Sequence, residues 1–134
     1  MHPAAARYQE VRATTSTPGE LLLALYDGLF RFLRGSKIHL ERGEKARASE
    51  LLSKSYAVVS ELYIALDHEV APELCSNLAG VYGFCMDRIM HANVRGSPEA
   101  IDDVLRVLSP LREAWQTAVP AAQQERVRAA AGQR

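Results

Sequence analysis

Four histidines (His2, His39, His68 and His91) and two cysteines (Cys75 and Cys85) are the imidazole and thiol groups available to this chain. Metal ligation within a helical protein would need two histidines four apart, or Glu followed by His three residues later, so that both donors share one helix face. Neither spacing occurs. Asp87 and His91 are one helical turn apart and read as a solvated pair near a helix end. Asp102 and Asp103 diverge by about 100° on a helix, so they suit a helix dipole better than a shared cation. Gly80 and Gly83 sit inside a helical pattern and not after a strand, which argues against a nucleotide-binding loop. Cys75 would need an adjacent base to act as a nucleophile, and no such constellation can be read. The expectation is a protein that is not an enzyme and needs no cofactor or metal.

The elements that hold these residues are helical. A chain of 134 residues predicts one domain. Its 48% hydrophobic content suits a globular core, while 16 basic and 16 acidic residues cancel and argue against a nucleic-acid or anionic-lipid partner. No apolar run approaches the roughly 20 residues of a membrane span, and the first residues lack an apolar signal core. If Cys75 and Cys85 share one helix they lie about 15 Å apart, too far for a disulfide. Reduced thiols and a cytoplasmic location follow.

Residues 1–16 have no periodicity and read as a flexible arm, with Tyr8 and Val11 as its anchors. Thr17-Pro18-Gly19-Glu20 combines an N-cap, a first-turn proline and a capping-box Glu, and Gly43 supplies a stop, which predicts helix one over about 18–42. Helix two is expected over 44–66, with Ala48, Leu52, Val59, Leu62 and Leu66 facing the core. Pro72 opens helix three, which fades near Asn93. Arg95-Gly96-Ser97-Pro98-Glu99 repeats the stop, cap and proline before helix four. Short connections between such helices imply an all-α fold, an antiparallel up-down four-helix bundle over residues 17–118. Residues 119–134 read as a short fifth helix or a frayed tail. Pro110 interrupts helix four, predicting a kink or a break.

The distribution of side chains around helices two and three exceeds what one core requires. A core stripe occupies a little over about 100° of arc. Leu74, Leu78, Val81, Tyr82, Cys85, Met86, Ile89 and Met90 fill about half of helix three, with Phe84 nearly opposite. On helix two, a row of small or uncharged residues, Ala46, Ser53, Ala57, Ser60 and Ile64, separates the core face from Arg47, Glu50, Lys54 and Glu61. Such a row permits tight packing within the bundle, homodimerisation, or docking of an amphipathic partner segment.

At these residues the chain resembles the flagellar secretion chaperone FliS family. Tyr8-Gln9, Thr17-Pro18 leading into Leu25-Tyr26-Asp27-Gly28, Ser60-Glu61-Leu62 with Leu66-Asp67, Asn77-Leu78 with Tyr82, Ala92-Asn93, and Trp115 fall in the family's order. It departs from the family at Val70-Ala71-Pro72, where a Gly-Gly pair is common, and at Tyr82-Gly83-Phe84, where Tyr-Asp-Tyr is common. The resemblance implies a cytoplasmic chaperone that binds the disordered C-terminal region of flagellin, one to one, and keeps it unpolymerised for type III export. It leaves open further contact with the flagellar export gate, an anti-sigma factor or a co-chaperone. Together with the row on helix two, it nominates Tyr8, Gln9, Ala57, Ser60, Ile64, Asn77, Leu78 and Tyr82 for client contact, and Tyr26, Asp27 and Trp115 for structural roles. The competing class is a dimeric helical scaffold or signalling bundle with no secreted client.

Overall fold

The structure, a computed structural model, describes residues 17–132. Readings that fall on Tyr8, Gln9 and Val11 lie outside the described residues. The chain is all-α: α1 (Pro18–Glu41), α2 (Lys45–Ile64), α3 (Pro72–Arg95) and α4 (Pro98–Gly132), with no strand among the described residues.

Local chemistry sets the ends of these helices. The Thr17 hydroxyl accepts the Glu20 N–H at 3.1 Å, satisfying one of the amides that a helix start leaves without a partner. At the far end of α1, Gly43 adopts φ 75°, its N–H donates to Leu40 O at 3.0 Å and the Glu44 N–H donates to His39 O at 2.8 Å. That pairing is a Schellman stop, and the positive φ is the reason glycine stands there. Gly96, at φ 62°, closes α3 in the same way, with the Ser97 N–H bonded to Ala92 O at 3.1 Å. Ser97 then caps α4 by accepting the Ala100 N–H at 3.3 Å.

Three expectations are corrected. Helix two stops at Ile64, leaving Leu66 outside it and half-buried, because Asp67 organises a turn there. Its carboxylate accepts the Glu69 N–H at 3.1 Å and its carbonyl accepts the Val70 and Ala71 N–H groups at 3.2 and 3.4 Å. Pro110 does not divide helix four. It is exposed, as is Arg106, whose carbonyl loses its donor, so water can satisfy that group. Nor do residues 120–132 form a separate fifth helix; they continue α4, in keeping with their Ala, Gln and Arg content.

The chain forms two compact units. One comprises residues 27–107 and contains parts of all four helices. Its core is built from Leu29 and Leu33 of α1, Leu52, Val59 and Leu62 of α2, Cys85 and Ile89 of α3, and Ile101 and Val104 of α4. Within it α2 packs against α3, and Lys37 of α1 is paired with Asp102 of α4 at 2.9 Å. The other unit joins the start of α1 to residues 108–132 of α4. Leu25, Tyr26 and Leu108 are its buried apolar residues.

Candidate functional site

The α2·α3 pair is where candidate residues converge. Core formation takes Leu52, Val59 and Leu62 on α2 and Cys85 and Ile89 on α3 inward, which leaves each helix an outer face. On α2 this face carries Ala46, Ser53, Tyr56, Tyr63 and Ile64, all exposed, with Ala57 and Ser60 half-buried. Ile64 is 75% exposed, placing a branched aliphatic side chain almost wholly in solvent at the end of its helix. On α3 the corresponding face carries Met90 and Val94, both exposed. Charge is kept off the α2 row. Lys54, beside Ser53 in sequence, instead lies over the Phe32 ring of α1, 5.9 Å from its centroid.

An open groove of about 310 Å3 runs between these two helices, lined by Leu52, Ser53 and Tyr56 from α2 and by Ile89, Met90 and Asn93 from α3. Leu52 and Ile89 form an apolar floor, Tyr56 and Met90 form adaptable walls, and the Asn93 amide offers both a donor and an acceptor. The Ser60 hydroxyl donates to Met86 Sδ at 3.5 Å and bridges the two helices. The lining is apolar apart from the polar groups of Ser53, Tyr56 and Asn93.

The nominated residues separate into three groups. Ala57, Ser60, Ile64 and Asn77 retain exposed surface. Leu78 and Tyr82 are instead core residues, 6% and 2% exposed, because the inner arc of α3 points into its own unit. Tyr26 is fully buried, Asp27 half-buried, and Trp115 half-buried with its indole N–H enclosed and lacking a hydrogen-bond partner. Sequence reasoning alone misses Tyr56 and Asn93 as site residues. A signal for both exists: Tyr56 falls between the core face and the small row on a 100° wheel, and Asn93 belongs to the Ala92-Asn93 pair.

Burial pushes the Cys85 thiol up to about 12, so it is protonated at neutral pH. The Cys75 thiol donates to Asp67 O at 3.3 Å. Among the described residues no group of three or more His, Cys, Asp or Glu could hold a metal ion, and no helix is long and apolar enough to cross a membrane.

Comparison with known proteins shows the family. Residues 1–122 match the family described as flagellar protein FliS. The chain belongs to the FliS family. It is similar to the flagellar secretion chaperone FliS of Salmonella typhimurium, 32% identical over 114 residues covering 84% of each chain. Similarity to the FliS of Bacillus subtilis is 29% over 119 residues, covering 89% of this chain and 88% of that one. A crystal structure of a bacterial flagellar chaperone superposes with a TM-score of 0.73 at 24% identity, covering 88% of this chain and 96% of the other, and shares the helical bundle fold. FliS proteins are thus flagellar secretion chaperones, not an enzyme family, and this chain is one of them.

Proposed function

We propose that this chain is a cytoplasmic export chaperone that binds the C-terminal region of flagellin, one to one, prevents its premature polymerisation and keeps it competent for type III flagellar export. The observation that carries this reading is the open α2·α3 groove, continued along α2 by Ser60 and the 75% exposed Ile64. An extended apolar stripe of this kind is what a disordered segment needs in order to become helical on binding, because its own apolar face must be covered. Ala57, Ser60 and Ile64 are the contacts offered beside the groove, joined by Tyr56, Met90 and Asn93, whereas Asn77 is exposed on nearly the opposite side of α3 and would meet only a client segment that wraps beyond the groove. Residues 17–118 carry the binding, and Tyr8 and Gln9 add contacts from the arm.

Capture of full-length flagellin, compared with flagellin lacking its C-terminal segment, tests the reading. Retention of the first and loss of the second, with a 1:1 mass for the soluble complex, is the expected result. A chaperone homodimer indifferent to both would overturn it and favour a helical scaffold.

A further inference from the structure

From Pro120 to Gly132 every residue of α4 is exposed except Gln123, which is half-buried. Gln123 Nε2 donates to Thr17 Oγ1 at 3.2 Å and to Glu20 Oε1 at 3.4 Å. Thr17 Oγ1 is the same oxygen that caps α1 by accepting the Glu20 N–H. One turn before Gln123, Val119 packs against Gly19 so closely that a Cβ on Gly19 would fall 2.7 Å from Val119 Cγ1. Between these two contacts stands Pro120, which has no N–H and leaves the Gln116 carbonyl without its helical donor. A weak point in the helix therefore separates the packed contact from the hydrogen-bonded one.

We propose that residues 120–132 are a hinged latch: α4 opens at Pro120, and Gln123 closes it onto the capped N-terminus of α1. A helix of this length is marginal in water on its own, since even favourable sequences need roughly 12–15 residues to hold together. Docking through Gln123 therefore decides whether the segment is held. The reverse coupling follows from the shared oxygen, since closing the latch fixes Thr17 and with it the point at which residues 1–16 join α1. The latch is independent of which partner occupies the α2·α3 groove.

Amide hydrogen exchange on the full chain tests the coupling in both directions. Gln123→Leu keeps the bulk and removes the donor. It should speed exchange at Glu20 and Leu21 and throughout 121–128 together, by at least roughly fivefold, the factor for one of the two hydrogen bonds it removes. Gly19→Ala should do the same from the α1 side by crowding Val119, and adding Val119→Ala should restore protection. Acceleration confined to 121–128, or no acceleration at either segment, would overturn the latch. So would slower exchange at Glu20 and Leu21 in Gly19→Ala, because helix propensity alone predicts that outcome.

Discussion

The Cys75 thiol, in the first turn of α3, donates to the main-chain oxygen of Asp67, 3.3 Å away, in the turn that ends α2. That oxygen already accepts the Val70 and Ala71 N–H groups, so one carbonyl gathers the whole connection. Cys75 is buried, and a polar atom at such a position matters mainly through its partner. Cys75→Ser is therefore expected to keep more stability than Cys75→Ala, which should lose about 1 kcal/mol. Denaturant midpoints at unchanged slope check the order. The reverse order would mean that the site behaves as plain apolar volume.

Cys85 makes a second, opposite use of burial. Its thiol is held up to about 12 in the fold, against 9.0 when exposed. Above pH 9.0 the unfolded chain releases this proton while the folded chain retains it, so stability falls with rising pH. The contribution is complete below pH 9.0 and is lost as the pH climbs towards about 12. The difference in unfolding free energy between the protein and Cys85→Ala should shrink over that window by about 1.4 kcal/mol per pH unit. Chemical denaturation at pH 8, 9 and 10 measures it. Parallel pH profiles for the two proteins would refute the assignment.

Ile64 and Leu62 are two residues apart on α2 and have opposite surroundings, 75% and 5% exposed. Ile64→Asp should leave the melting curve within about 0.5 kcal/mol and weaken flagellin binding at least tenfold, since a desolvated charge in a binding groove costs far more than one in solvent. Leu62→Asp should unfold the protein, because it places an unpaired carboxylate in the core. Equal losses of stability and binding in Ile64→Asp would make Ile64 a structural residue.

The legibility of each feature in the sequence depends on how local its cause is. Thr17, Gly43, Gly96 and Ser97 act through backbone groups a few residues away, so residue type and spacing suffice to assign their roles. Leu78 and Tyr82 cannot be separated from Met90 in the same way. All lie on one wide apolar arc of α3, and only the neighbouring helices determine which part of that arc is covered. Pro110 reads as a kink or a break, and the sequence does not separate the two because propensity does not say which way the freed carbonyl points. Gln123 gives no signal at all, since its partners Thr17 and Glu20 are over a hundred residues away and meet it only in the fold.

Pro110 lies on an exposed face of an unbroken α4. An interior proline costs about 3 kcal/mol against alanine in a regular helix, but a structure already adapted to it recovers only part of that on replacement. Pro110→Ala should raise the melting temperature and leave flagellin affinity within a few-fold. Thermal melts and titration calorimetry on the same preparations check both. A large loss of affinity would show that the proline shapes the bound state.

The proposed binding of flagellin should be driven by apolar burial and coupled to folding of the client. The groove floor is Leu52 and Ile89, its walls Tyr56 and Met90, and its nearest lysine on α2 is turned onto Phe32. With a net formal charge of 0, the chain also has little long-range field with which to steer a partner. Affinity should therefore depend weakly on salt, and the heat-capacity change should be large and negative. Ordering a disordered segment offsets several kcal/mol of that gain, so a long wrapped segment should bind much more tightly than a short peptide cut from it. Calorimetry at several temperatures and salt concentrations measures the first two quantities. Circular dichroism should report more helix in the complex than in the sum of its parts. A steep salt dependence, or no added helix, would replace this picture with an electrostatic contact between surfaces that are already folded.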